Sequence, residues 1–259
     1  MSNNNLAISK LKQITGAKKV SAYAPSLGTI VELHPLSVKQ QKELLKTALD
    51  IVMTPITFAL ATSDIITKNL STPAKLTILD KPGLLLALRA DALGTEVTQE
   101  VEGVKVKFDY ADNLKAKNKI DLTVFTTSIL LDKIEVVTKV PTLDEDFRTN
   151  AECKRILDNK KSTNEDKLRE LVGEVYIYEL IKFIDCIKLA DGASIDEIKF
   201  STLTIPQQIE VIESLPMALN GKLIEFISTV RDAEQAALKV KTDDTTYTIN
   251  LDTVFFTKE

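Results

Sequence analysis

Tryptophan is missing, histidine occurs once, at His34, and cysteine twice, at Cys153 and Cys186. A lone imidazole removes most of the acid–base machinery that works near neutral pH. The two thiols have no Cys or His at metal-ligand spacing, so neither a disulfide framework nor a zinc site has material to build from. They read as reduced, part-buried thiols in helical segments. Eight glycines are scattered without a GxGxxG or GxxxxGK[ST] pattern among them, which disfavours loops that cradle phosphates. Nucleophile elbows and HExxH pairs are missing as well. No apolar run reaches about 18 residues, and the opening MSNNNLAISK lacks a secretory h-region, so neither a membrane span nor an export signal is expected. A net charge of -4 gives no general attraction to nucleic acid or anionic lipid. We expect no cofactor, no metal and no catalytic residue; protein partners are the default.

What is present is aliphatic patterning, densest from Leu76 to Tyr110. Asp80, Pro82 and Gly94 mark the ends of a helix there: a cap acceptor, a residue that loses no donor in the first turn, and a residue free to take positive φ. Between Pro82 and Gly94, Arg89 and Asp91 are the only charges, so this helix belongs in a core or an interface. Gly103 to Tyr110 then alternates as a strand with one wet face. Upstream, Thr29 to Leu33 reads as a short strand and Pro35 stops it. Ser37 and Gln40 have the spacing of a capping box, a helix runs on to Met53, and Thr54-Pro55 starts another helix to about Leu70. Downstream, Leu122 to Thr127, Ile129 to Leu131 and Ile134 to Val140 favour strands. From Pro141 the text is helical nearly to Arg231, with a KKSTNED link and a broad apolar helical face from Leu168 through Ile184 to Ile187. Alternation around Val240 and Tyr247 predicts a terminal hairpin.

These readings give an α+β protein, predominantly helical, with one or two small antiparallel sheets. Residues 1–20 form a flexible segment, 21–140 a mixed region, 141–235 a helical region and 236–259 a C-terminal β-hairpin. Asp144, Glu145 and Asp146 suit the positive end of a helix and need no metal. Arg89 requires a carboxylate, carbonyls or a surface to reach: a bridge to Asp91 or a nearby loop on one reading, an anchor at a subunit contact on the other. Phe255 and Phe256 are the remaining contact candidates, with core filling as their alternative. Apolar helix faces and a free sheet edge are the surfaces expected to bind.

Three segments, LGTIVELHPLSVKQQKELL at 27–45, LTILDKPGLLLALRADALGTEV at 76–97 and ILLDKIEVVTKVPTLDE at 129–145, resemble the baseplate hub subunit and hub-assembly family of T-even-type contractile-tailed phages. IKFSTLTIPQQIEVIESLP at 198–216 extends the likeness, with Leu88-Arg89-Ala90 and Gly94 in place and His34 standing where the family more often has a basic residue. The resemblance implies a non-enzymatic tail protein, either part of the central hub or a helper of its assembly in the host cytoplasm. Its partners would be other hub or tail proteins, a homo-oligomer being compatible with this, with no nucleic acid and no membrane insertion. On the residues alone an unrecognised cytoplasmic enzyme and a binding module unrelated to tails stay open.

Overall fold

Val20, Ala22 and Ala24 turn to the core while Ser21 faces water, which makes β1 (Val20–Ala24) a one-sided strand. This computed structural model describes residues 17–47, 54–159, 175–191, 194–242, 245–251 and 254–256. The expected flexible segment therefore lies mostly outside the described residues, and Val20 at its end is already core. β1 pairs antiparallel with β2 (Thr29–Leu33), Val20 opposite Leu33 and Ala24 opposite Thr29.

Helix α1 (Val38–Thr47) starts on the expected capping box: the Ser37 amide donates to Gln40 Oε1 at 2.9 Å and the Gln40 amide to Ser37 Oγ at 3.2 Å. Residues 48–53 lie outside the described set. At the far end of α2 (Thr54–Asn69), Asn69 Nδ2 donates to the His34 carbonyl at 2.9 Å and the Asn69 carbonyl accepts from the His34 amide at 2.6 Å. His34 is thus tied in through its main chain.

A 3-10 turn (Ile78–Asp80) leads into α3 (Lys81–Leu93), which buries Pro82, Leu84 to Leu88 and Arg89 and packs on β1. Gly94 ends it at φ 89°, its amide donating to the Ala90 carbonyl. The Asp80 carboxylate, expected to cap α3, points backward instead, accepting from the amides of Thr77 at 2.7 Å and Ser26 at 2.8 Å. The reason is local. Asp80 already has helical angles, φ -83° and ψ -24°, whereas a capping side chain reaches forward from an extended residue.

β3 (Glu96–Val101) and β4 (Val104–Asp109) form a hairpin whose two-residue turn, Glu102-Gly103, has positive φ at both positions, as a twist-matched tight turn requires. A short α4 (Ala111–Lys115) follows. Leu122–Phe125, expected as a strand, is a 3-10 turn, because Asp121 Oδ1 accepts from the Thr123 amide at 3.0 Å and curls the chain.

The largest sheet has the order β5-β6-β7-β8, made of Ser128–Leu131, Ile134–Thr138, Ile184–Asp191 and Ser194–Lys199, antiparallel throughout. It corrects the expectation of a helical 141–235 region. Residues 175–181 are helical, but the chain is a strand from Ile184, and Cys186 lies on that strand. A bulge at Val137/Thr138 sets Ile184 opposite Thr138 and Ile187 opposite Val136. Side chains three apart therefore share the core face, and that spacing mimics a helix. The β6–β7 pairing also crosses the change of texture at Pro141.

Helix α5 (Leu143–Asn159) has Asp144, Glu145 and Asp146 in its first turn as expected. The KKSTNED link lies outside the described residues. Thr204 caps α6 (Ile205–Glu213), its amide donating to Gln207 Oε1 at 2.9 Å. Helix α7 (Met217–Ala236) buries Leu219, Leu223, Ile227 and Val230 on one stripe. β9 (Lys239–Thr242) and β10 (Thr245–Thr248) pair antiparallel, and a 3-10 turn (Val254–Phe256) follows. The described residues contain four separate antiparallel sheets, where one or two were expected. A single buried cluster from Val20 to Phe256 joins them with the helices.

Candidate functional site

The three contact candidates meet one another inside the chain. Arg89 is 4% exposed, and Phe255 and Phe256 are 1% exposed. Arg89 Nε donates to the Phe255 carbonyl at 2.8 Å, and Nη1 donates to the Gly94 carbonyl and, at 3.3 Å, to the Tyr110 hydroxyl. Its guanidinium lies 4.9 Å from the Phe255 ring centroid and 5.7 Å from that of Tyr110. Carbonyls and ring faces thus stand in for a counter-ion. Asp91 pairs with Lys18 at 2.6 Å instead. Phe256 packs edge-on against Phe255 and faces Phe58, while Gln41 Nε2 donates to the Phe256 carbonyl at 2.8 Å. Burial pushes the Tyr110 hydroxyl above its ordinary pKa, so it stays a donor, to Gly94 O at 3.1 Å. The arrangement is a clamp on the chain's own C-terminal segment.

A second constellation has no counterpart in the sequence reading. Asp146 Oδ1 accepts from Lys182 Nζ at 2.8 Å and from Asn150 Nδ2 at 3.1 Å, and Lys81 Nζ lies 3.7 Å from Oδ2. Lys81 also donates to Ser63 Oγ at 3.0 Å and to the Ala59 carbonyl at 3.1 Å. Glu179 bridges Lys182 at 2.9 Å and Arg231 at 2.7 Å. Four helices and the 175–181 stretch converge on these charges. Burial pushes the Asp146 carboxyl up, but Lys182, Lys81 and the hydrogen bonds outweigh it and hold the carboxyl below its ordinary value. Lys182 is pulled down by burial and raised further by Glu179 and Asp146, ending high, whereas burial leaves the Lys81 ammonium low. The difference follows from geometry, since Lys182 touches two carboxylates and Lys81 stands off from one. Burial also raises half-buried Glu234. A serine beside a lysine of lowered pKa has the ingredients of a nucleophile and its base. Ser63 is fully buried, however, and neither the groove walled by Leu27 and Leu122 nor the one between α1, α2 and α5 is lined by Ser63, Lys81 or Asp146.

The outer surface offers a groove of about 920 Å³ with Leu27, Leu70, Pro73 and Leu122 on its walls and Lys75 and Arg148 at its rim. The main sheet offers an edge. β5 is covered, for α7 packs on it and Lys222 Nζ donates to the Leu130 carbonyl at 3.2 Å. β8 has no strand on its far side among the described residues, and Ile195 there is 68% exposed. Sequence reasoning anticipated a free edge without locating it. Cys153 and Cys186 are buried, and burial raises the Cys186 thiol. Among the described residues no cluster of His, Cys, Asp or Glu is placed to hold a metal, and no helix is long and apolar enough to cross a membrane.

A family model described as T4 bacteriophage base plate protein matches residues 17–254. No curated protein and no solved structure matches the chain.

Proposed function

The chain belongs to the T4 bacteriophage base plate protein family, and from that premise we propose that it acts at the baseplate hub, as a hub subunit or as a chaperone of hub assembly. Membership carries a structural role in the phage tail baseplate and association with other tail proteins. The hub itself is the finer reading, supported by the resemblance of the 27–45, 76–97 and 129–145 segments. Binding would do the work, without catalysis, in the host cytoplasm during assembly and, for a hub subunit, in the virion tail.

The observation that best supports a binding role is the β8 edge, which no strand covers among the described residues, with Ile195 exposed on it. An unpaired strand presents main-chain donors and acceptors to which a partner's strand can add, and an exposed aliphatic beside them adds apolar contact. The burial of Ser63 and Asp146 supports the non-catalytic reading, because neither lines the groove at Leu27 and Leu122 or the one between α1, α2 and α5. The deciding experiment is mass spectrometry of purified mature tails beside assembly intermediates. Peptides of this chain in mature tails identify a subunit, and peptides confined to intermediates identify a chaperone. Their lack in both sinks the hub reading.

A further inference from the structure

The body of the protein holds its C-terminal module through main-chain atoms. Four side chains from four elements do this: Gln41 of α1 to the Phe256 carbonyl at 2.8 Å, Arg89 of α3 to the Phe255 carbonyl at 2.8 Å, Gln99 of β3 to the Asn250 carbonyl at 2.7 Å, and Asn113 of α4 to the carbonyls of Ala237 and Lys239, both at 2.9 Å. Gln99 Oε1 also accepts from the Asn250 amide at 3.0 Å. The β9–β10 hairpin shares no sheet with the rest. Apolar contacts add to these, with the Phe108 and Tyr247 rings 5.1 Å apart and Leu238, Val240 and Ile249 buried. The module is seated as a bound peptide would be.

The junction with α7 lacks a stop signal. Helices commonly end at a glycine with positive φ or just before a proline, yet α7 runs out through Glu234, Gln235, Ala236, Ala237 and Leu238, all good helix formers. Ala237 keeps right-handed angles, φ -67° and ψ -18°. The turn is imposed by docking of the module. Continuing the helix by one turn would carry the module off its own body with little local strain.

We propose that this module exchanges between two copies of the chain, the Gln41–Arg89–Gln99–Asn113 site of each receiving the C-terminal segment of the other. Exchange reproduces every docking contact, so its cost is confined to the junction and to association. The tethered arrangement keeps the advantage until copies are crowded to about the millimolar effective concentration of a short tether. The inference does not depend on the hub reading.

The test uses full-length chains carrying Gln99→Cys, Asn250→Cys or both, with a short bis-maleimide linker; the unsubstituted chain, whose own thiols are buried, is the blank. The double variant links within one chain when dilute, which reports that the module is docked and the site folded. An equal mixture of the two single variants, unfolded and refolded together at up to about 1 mM, gives a linked two-chain species whose share grows with concentration. Adding Ala237→Gly to both partners, which disfavours helix continuation, lowers that share about fivefold. A docked double variant with no two-chain product from the mixture overturns exchange. So does a product equally abundant with either single variant alone, and so does a double variant that never links.

Discussion

Arg89 and Asp146 are the two charges on which most of the interior depends, and they differ in how far the sequence exposes them. Arg89 stands out because the helix around it is apolar but for Lys81 and Asp91, and the need for carbonyls or a carboxylate follows from that. Which carbonyls could not be read, since Phe255 lies 166 positions away. Asp146 is disguised: in a first-turn acidic triplet it looks like a helix-end charge, and Lys81 and Lys182 look solvated. Arg89→Met fills the space but removes the Arg89 donor from the Phe255 carbonyl and leaves the Gly94 carbonyl with the Tyr110 hydroxyl, at about 1–3 kcal/mol for a buried group that loses its partner. We expect a loss of roughly 2–4 kcal/mol in urea unfolding, with faster proteolysis beyond Ile249. Asp146→Asn keeps the shape but takes one of two carboxylates from Lys182 and the paired carboxylate from Lys81, and breaking a buried ion pair costs about 3–5 kcal/mol. Equal unfolding midpoints for the two variants and the parent would refute both assignments.

Elements bounded by their own chemistry were legible, and elements bounded by neighbours were not. Ser37 with Gln40, and Gly94 at the end of α3, act within a few residues, so sequence alone locates them. β7 was hidden by its bulge, which gives Ile184 and Ile187 a helical spacing. β1 was hidden because two of its three core positions are alanines, weak strand formers. β3 was hidden because Val97 and Val101, four apart, suit a helix as well as a strand. The free edge of β8 is invisible in sequence because it depends on which strand ends up outermost. Ile195→Lys puts a charge on that edge where the side chain already meets water, so stability should change by less than about 0.5 kcal/mol. Incorporation into baseplate intermediates should fall several-fold, as pull-down of tail proteins would register. Undiminished incorporation would remove β8 from consideration as the contact.

Across the whole molecule the buried charges set how stability depends on acidity. An unfolded aspartate titrates near pH 3.9, and Asp146 is held lower in the fold. Its contribution is therefore complete above about pH 4 and is lost as acidification passes through the folded value. Glu234 acts in the opposite sense. Burial raises it, so the folded chain keeps that proton longer than the unfolded chain does, and stability declines as pH climbs from about 4.3 through the raised value. Urea midpoints from about pH 3 to 8 should peak on the mildly acidic side; Glu234→Gln should flatten the alkaline limb, and Asp146→Asn should flatten the acid one. A profile unaltered by both substitutions would exclude this account.

α7 packs on β5 at one side of the four-stranded sheet, Lys222 donating to the Leu130 carbonyl there, and among the described residues no strand lies beyond β8 at the other. A sheet with two bare sides can add neighbours without end and grow into a fibre. With a helix against β5, strand addition is directed to β8 and the sheet takes a valence of one: a single newcomer completes it, and growth in that direction is self-terminating.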